Sequence, residues 1–244
     1  MGLIYKEELK LGFEMCDVKL DVKLPLLISY CLALSGRQTE LLQMSDKKVL
    51  EDYHLVWIIT DHEMTIDHLP RFGDTITIET EPFAYNKLFC YRRFTIYDQD
   101  QQQMAEIITH FALMNPATRK VAQIPRELVE PFESEFVKQL RRTPKIKALV
   151  EPQEKIYHVR YYDLDMNGHV NNGKYLDWVY DVMSFDFLSK HRPAAIQLRY
   201  IKEVSPDGTV ASRFERQQLT TTHAIFVEGT LHAQAIIQWQ EIVD

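Results

Sequence analysis

The sequence predicts an α+β protein built from two halves that repeat one order of elements. Apolar residues recur at helical spacing from Pro25 to Leu42. Long runs rich in β-branched and aromatic residues follow that helix, as in antiparallel strands. The same order begins again near Ile156. One helix followed by several strands, twice, differs from the strict alternation of strands and helices that predicts a parallel sheet.

In the first half, a short strand is predicted over Glu8–Phe13, ahead of the helix that runs from Pro25 to Leu42. Leu27 and Leu34 lie on the apolar side of that helix. The strands predicted after it are Thr75–Thr80, Phe89–Tyr97 and Met104–Met114.

In the second half, a strand is predicted over Ile156–Tyr162 and an amphipathic helix over Asn172–Leu188. The turn at residues 206–210 resembles the turn at residues 72–76 of the first half. The strands predicted after the helix are Ile196–Val204, Thr209–Arg216, His223–Gly229 and Leu231–Gln240.

Residues 131–155 combine several prolines with little apolar periodicity, which indicates a linker between the halves. A short helix is predicted within it, over Glu133–Leu140. The predicted division is therefore a first domain at 1–130, a linker at 131–155 and a second domain at 156–244.

Composition excludes several classes of protein. The 244 residues include 28 Lys and Arg against 35 Asp and Glu, a net charge of −7, which disfavours sequence-independent binding of nucleic acid. Three widely spaced cysteines, without a CxxC pair, indicate reduced packed thiols and neither a zinc site nor a disulfide framework. The longest apolar stretch, around Leu24–Leu34, is shorter than the ~20 residues of a membrane span. With no apolar core of a signal peptide at the N-terminus, the chain is expected to be cytoplasmic.

The densest group of chemically capable side chains occupies residues 161–172, between a predicted strand and a predicted helix. Asp165, Asn167 and His169 supply an acceptor, an amide donor and a titratable base within five residues. Unpaired N–H groups at the helix start suit an oxyanion, and Gly168 permits a tight turn. The same residue types also serve ordinary loops and helix caps. On spacing alone, both interpretations stay open.

Two of the neighbouring polar residues have simpler interpretations. Asn171 or Asn172 is expected to cap the helix, and Asp163 to hydrogen-bond locally.

In the first half, His62-Glu63 and Asp67-His68 do not form an HExxH motif, and both histidines are expected at the surface. No metal site is predicted there.

Residues 163–178, Asp-Leu-Asp-Met-Asn-Gly-His-Val-Asn-Asn-Gly-Lys-Tyr-Leu-Asp-Trp, closely resemble the signature of hotdog-fold thioesterases. More narrowly, they resemble the acyl-ACP thioesterases of plants and bacteria, which join two hotdog domains in one chain. The resemblance implies two tandem hotdog domains, each a long helix wrapped by an antiparallel sheet. It also implies an acyl-chain pocket in the first domain and a catalytic second domain.

The resemblance further implies a catalytic group composed of Asp165, Asn167, His169 and, from the following strand, Glu203. Plant members carry a cysteine directly after this glutamate, whereas this chain has Val204, which cannot act as a nucleophile. The expected mechanism is activation of water by Glu203 and His169, while Asn167 holds substrate or water. In single-domain hotdog thioesterases an Asp is the base or nucleophile, so a version in which Asp165 has that role stays open.

The implied reaction is hydrolysis of fatty acyl-ACP to free fatty acid and holo-ACP, without a cofactor or metal. Acyl carrier protein is thus the implied partner of a monomer (a pseudo-dimer) or a homodimer. The alternatives are an acyl-CoA thioesterase, a hotdog dehydratase, which the four residues disfavour, and a non-catalytic acyl-binding module. Basic residues that could dock the acidic carrier are Arg141, Arg142, Lys145 and Lys147, or Lys190 and Arg192.

Overall fold

The first half consists of one long helix packed against long antiparallel strands, in a computed structural model that describes residues 2–139, 141 and 143–242. The helix predicted over Pro25–Leu42 and the strand over Phe89–Tyr97 are confirmed, whereas the second helix was not predicted. The elements are β1 (Tyr5–Lys10), α1 (Leu24–Leu41), α2 (Asp46–Tyr53), β2 (Val56–Ile66), β3 (Thr75–Tyr85), β4 (Phe89–Tyr97), β5 (Gln103–Asn115) and β6 (Lys120–Ala122).

Between the halves lie a short helix, α3 (Arg126–Val129), and a short strand, β7 (Glu135–Phe136). The helix predicted over Glu133–Leu140 is wrong over residues 133–139, and Leu140 lies outside the described residues. The physical reason is tertiary: β7 pairs in parallel with the end of β3, and the rings of Phe136 and Tyr85 pack 5.4 Å apart.

The second half repeats the order strand, helix and long strands. Its elements are β8 (Gln153–His158), α4 (Asn172–Asp181), α5 (Phe185–Lys190), β9 (His191–Tyr200), β10 (Thr209–Gln217), β11 (Thr220–Val227) and β12 (Thr230–Glu241). The α+β class and the repeat predicted from the sequence are therefore observed.

Several predicted boundaries in the second half are wrong. The helix predicted over Asn172–Leu188 is two helices, because Ser184 caps α5 by accepting a hydrogen bond from the Phe187 N–H (3.2 Å). The strand predicted to reach Tyr162 ends at His158 and is followed by a 3₁₀ turn. The strand predicted to reach Val204 ends at Tyr200, so Glu203 lies in the segment after β9.

The two halves share one continuous sheet, in the order β1-β3-β4-β5-β2-β9-β12-β11-β10-β8. The first five strands mirror the last five about the join between β2 and β9, which pair antiparallel from Asp61↔Arg199 to Thr65↔Ala195. The Arg199 Nε lies 3.0 Å from Asp61 Oδ1 across this join. Hydrogen bonds and charge thus connect the halves directly.

The helices α1 and α4 meet where α4 begins. A Cβ atom at Gly173 would lie 2.6 Å from the Pro25 carbonyl oxygen and 2.9 Å from Ser29 Oγ. Only glycine permits this approach. Side chains from both helices, including Leu27, Leu34, Leu176 and Val179, then belong to one buried core. The start of α4 is consequently held by the first half of the chain.

The cysteines are unpaired, as predicted: Cys16 and Cys31 are buried and Cys90 is half-buried. Burial raises the pKa of the Cys31 and Cys90 thiols to about 12. Over residues 2–139, 141 and 143–242, no helix is both long enough and apolar enough to cross a bilayer.

Candidate active site

The predicted site segment is a closed turn directly before α4. Leu164 and Val170 form a bridge at its base, and the Asp165 N–H donates to the His169 carbonyl oxygen (2.8 Å). The Gly168 N–H donates back to the Asp165 carbonyl oxygen (3.1 Å), with Gly168 at φ +79°. A side chain at that φ is unfavourable, so the turn requires glycine or a residue that tolerates strain.

The Asp165 carboxylate binds the backbone of its own loop. Its Oδ1 accepts hydrogen bonds from the Asn167 N–H (2.8 Å) and the His169 N–H (3.3 Å). These contacts orient the two residues that carry the amide and the imidazole.

Asn171 is the N-cap of α4 and accepts a hydrogen bond from the Gly173 N–H (2.9 Å). The buried Asp163 accepts from the Arg160 N–H (2.9 Å) and lies 3.4 Å from Lys174 Nζ. Burial opposes ionisation of Asp163, but the hydrogen bonds from Arg160 and the charge of Lys174 outweigh it and lower its pKa. The predicted cap and the predicted local role of Asp163 are both observed.

The segment that carries Glu203 is fastened to the loop and to α4. The His232 carbonyl oxygen accepts from the Lys202 N–H (3.1 Å), and the Tyr175 hydroxyl accepts from the Val204 N–H (3.1 Å). The Val204 carbonyl oxygen in turn accepts from the Val170 N–H (3.4 Å), at the end of the loop. Burial raises the pKa of Tyr175 to about 12, so its hydroxyl stays protonated.

His169 and Glu203 are in contact: His169 Nε2 lies 3.4 Å from Glu203 Oε2. Their side chains are 44% and 34% exposed, so a substrate can reach them. Asn167 is exposed, and its side-chain amide has no hydrogen-bond partner within the described residues. Of the four predicted side chains, the structure thus brings His169 and Glu203 together. Asp165 instead binds the backbone of its own loop, and Asn167 is exposed to solvent.

One charged neighbour of the site was missed at the sequence level. Arg119, in the turn between β5 and β6, places Nη2 2.8 Å from Glu203 Oε2. The two residues are 84 positions apart, and no local pattern around Arg119 indicates the contact.

A second loop, Cys16–Val22, was missed as well, although it repeats the backbone of the site loop. Cys16 and Val22 form the same bridge, the Leu20 N–H donates to the Asp17 carbonyl oxygen (3.0 Å), and Leu20 has φ +64°. Asp17 Oδ1 accepts from the Lys19 N–H (2.8 Å) and the Asp21 N–H (3.0 Å). Asp17, Lys19 and Asp21 therefore stand where the site loop has Asp165, Asn167 and His169.

One of the two histidines predicted at the surface of the first half is buried. His68 is exposed, but His62 is fully buried, so its predicted surface position is wrong. The ring of Tyr200, at the end of β9, packs edge-on against the His62 ring with centroids 5.6 Å apart, and His62 Nδ1 lies 2.8 Å from Thr109 Oγ1. Burial lowers the pKa of His62 to about 3, which keeps the ring neutral. In the described part of the chain, no three His, Cys, Asp or Glu side chains are grouped to hold a metal ion.

Three of the six basic residues predicted to dock a carrier are paired within the chain. Arg141 contacts Glu63, Lys190 contacts Asp186 and Arg192 contacts Asp21, at 2.7, 2.6 and 2.6 Å. Lys145 and Lys147 are exposed, and Arg142 lies outside the described residues. Docking through any of these residues stays a prediction.

A cavity of about 570 Å³ lies in the second half, lined in part by Met183, Phe187 and Phe214. None of the four predicted site residues lines it. The acyl-chain pocket expected in the first domain stays a prediction.

Comparison with known proteins extends over nearly the whole chain. Among solved structures, it matches a Lactobacillus plantarum protein described as an oleoyl thioesterase, with TM-score 0.94, 32% identity and coverage of 100% of this chain and 98% of that one. It also matches the 12:0-ACP thioesterase of Umbellularia californica, with TM-score 0.87, 18% identity and 99% coverage of both chains. The fold is that of two tandem hotdog domains, each wrapping a helix in an antiparallel sheet.

Residues 2–132 match the family model of the acyl-ACP thioesterase N-terminal domain, and residues 146–241 match that of the C-terminal domain. The chain belongs to the acyl-ACP thioesterase family. It is 26% identical over 197 residues to a chloroplastic palmitoyl-acyl carrier protein thioesterase of Gossypium hirsutum, covering 76% of this chain and 47% of the relative. It is 25% identical over 190 residues to a chloroplastic dodecanoyl-[acyl-carrier-protein] hydrolase of Umbellularia californica, covering 72% and 50%. The chain spans about half the length of the curated relatives it matches.

Proposed function

We propose that this protein hydrolyses the thioester between a fatty acyl chain and acyl carrier protein, releasing free fatty acid and holo-ACP. The observation that carries the proposal is the contact between His169 and Glu203, at 3.4 Å, beside the loop that begins α4. Membership of the acyl-ACP thioesterase family supports the substrate class.

In the proposed step, a water oxygen attacks the acyl carbonyl carbon while Glu203, paired with His169, takes up its proton. The tetrahedral intermediate collapses with cleavage of the carbon–sulfur bond. The proton then passes from the pair to the leaving thiolate, so that acid and thiol are released and the residues return to their starting state. Positioned acid–base groups of this kind contribute about 10²–10⁴-fold to a rate.

The hydrogen bonds at the start of α4 narrow the choice of oxyanion donors. The Gly173 N–H is already bound to Asn171 Oδ1, and the Lys174 N–H to the Asn171 carbonyl oxygen, both at 2.9 Å. We assign the oxyanion contact to the Asn172 N–H and the Asn167 side-chain amide, which have no such partner within the described residues. One such donor is worth about 10²–10³-fold in rate.

The first test is thiol release from matched acyl-ACP and acyl-CoA substrates over a series of chain lengths. We expect turnover of the carrier-linked thioester, with kcat falling at least about a hundredfold in Glu203→Gln. Glu51→Gln, an exposed glutamate of α2, is the matched control and should turn over like the parent chain.

Better turnover of acyl-CoA than of acyl-ACP would assign the protein to the second candidate, an acyl-CoA thioesterase that uses the same residues. Binding of acyl chains without turnover of either substrate would contradict the proposal and favour an acyl-binding module. The cytoplasmic location and the oligomeric state expected from the sequence stay predictions.

A further inference from the structure

We propose that Arg119, supplied by the first half of the chain, is a positioning residue that orients the Glu203 carboxylate for catalysis. This inference rests on the proposed hydrolysis and adds to it a residue outside the signature segment. It assigns to the first half a direct part in the catalytic arrangement.

The turn that carries Arg119 is rigidly built. Asn115 Oδ1 accepts hydrogen bonds from the Ala117 N–H (3.1 Å), the Thr118 N–H (2.9 Å) and the Thr118 hydroxyl (3.2 Å). The Arg119 N–H donates to the Asn115 carbonyl oxygen (2.8 Å), and Arg119 itself has φ +57°. The left-handed region is unfavourable for a non-glycine residue. The hydrogen bonds of Asn115 hold that conformation and fix the direction in which the Arg119 side chain leaves the turn.

The contact at Glu203 is selective for one oxygen. Arg119 Nη2 (2.8 Å) and His169 Nε2 (3.4 Å) both approach Oε2. Among the described residues, no side chain donates a hydrogen bond to Oε1. With Oε2 held between a guanidinium and an imidazole, the plane of the carboxylate is set and Oε1 is left for the attacking water.

The backbone on the other side is fixed independently. The Lys202 N–H is bound to His232 and the Val204 N–H to Tyr175, which leaves the side-chain torsions of Glu203 as its main freedom. Arg119 restrains those torsions. Small misplacements of a reacting group lower rates by up to about a hundredfold, so removal of the restraint should act on kcat.

The test compares Arg119→Met and Arg119→Lys with the parent chain, on both acyl-ACP and acyl-CoA. We expect Arg119→Met to lower kcat about tenfold on both substrates, with KM changed less than about twofold. Arg119→Lys should recover most of the loss, because it retains the cation. In a Glu203→Gln background, Arg119→Met should have no further effect. Arg126→Met, an exposed arginine of α3, is the matched control.

An unchanged or increased kcat in Arg119→Met would overturn the proposal. So would a higher KM for acyl-ACP alone, which would make Arg119 a contact for the carrier. A loss of activity that adds fully to that of Glu203→Gln would also overturn it, since the two residues would then act separately. Arg119 is half-exposed, and thermal unfolding of each variant checks that the fold is intact. If the parent chain hydrolyses neither substrate, the proposed function fails first, and that result is separate from any effect at Arg119.

Discussion

The two loops that precede α1 and α4 have the same backbone and different side chains. In both, an aspartate accepts hydrogen bonds from the N–H groups two and four residues ahead, at 2.8 and 3.0 Å for Asp17 and at 2.8 and 3.3 Å for Asp165. Both loops end in a bridge to a valine. The turn is therefore a structural framework of the fold, and chemistry depends on the two side chains that it presents.

The first loop uses these positions to join the halves. Lys19 Nζ donates to the carbonyl oxygens of Leu188 and His191, both at 2.8 Å, at the end of α5. Asp21, which is 1% exposed, forms a two-bond ion pair with Arg192 at 2.6 and 2.9 Å. Burial lowers the pKa of Lys19. Lys19 and Asp21 stand at the positions of Asn167 and His169, but they are paired with groups of the second half and do not face a substrate.

The comparison also bears on the role of Asp165. Because Asp17 makes the same two hydrogen bonds in a loop without an imidazole, these bonds belong to the turn and not to catalysis. This favours Glu203 and His169 as the pair that activates water over Asp165 as base or nucleophile.

The largest expected difference between the loops is in activity. Asn167→Ala should lower kcat at least about a hundredfold, because the substrate loses an amide donor. Lys19→Ala changes the equivalent position of the first loop, and its kcat should stay within about twofold of the parent when assayed well below its melting temperature. Steady-state thiol release from acyl-ACP measures both. Equal losses in the two variants would mean that the loops do not differ in the way described.

The next effect is on stability. Arg192→Met removes the main partner of the buried Asp21, and the remaining ion pair of Asp21 among the described residues is with Arg71 at 3.7 Å. We expect the free energy of unfolding to fall by about 2 kcal/mol, measured by urea denaturation. Arg213→Met, which breaks an exposed pair with Glu154, should cost less than about 1 kcal/mol. If the two variants are equally stable, the first loop does not join the halves as proposed.

The smallest effect is expected at Asp165. An asparagine there retains an oxygen that can accept from both N–H groups, so Asp165→Asn should keep kcat within about tenfold of the parent. A base or nucleophile at this position would instead lose about 10²–10⁴-fold. Asp17→Asn is the matched variant and should leave kcat unchanged. A collapse of activity in Asp165→Asn alone would reinstate Asp165 as the reacting group.

Local patterns were sufficient for some elements and failed for others. The helical spacing after Pro25 predicted α1 because that helix buries one largely apolar side from Leu24 to Gln38. The predicted single helix from Asn172 was wrong, since one serine hydroxyl at Ser184 begins a new helix without disturbing the apolar pattern. His62 was misplaced at the surface, because its ring packs against Tyr200 of β9, a contact between the halves that no local pattern reports.

The sequence by itself determined the repeat of the halves, the loop before α4 and the residue types within it. Those features depend on hydrogen bonds and spacing over a few neighbouring residues, which a sequence records directly. Only the tertiary structure decided that His169 and Glu203 meet, that Arg119 reaches the same carboxylate from 84 positions away, and that the loop at Asp17 joins the halves. The contacts of Arg119 and of the loop at Asp17 cross between the halves, so they depend on how the sheet continues from β2 to β9 and on how α1 meets α4. That arrangement is set by burial of apolar surface across the whole chain, and not by any one segment.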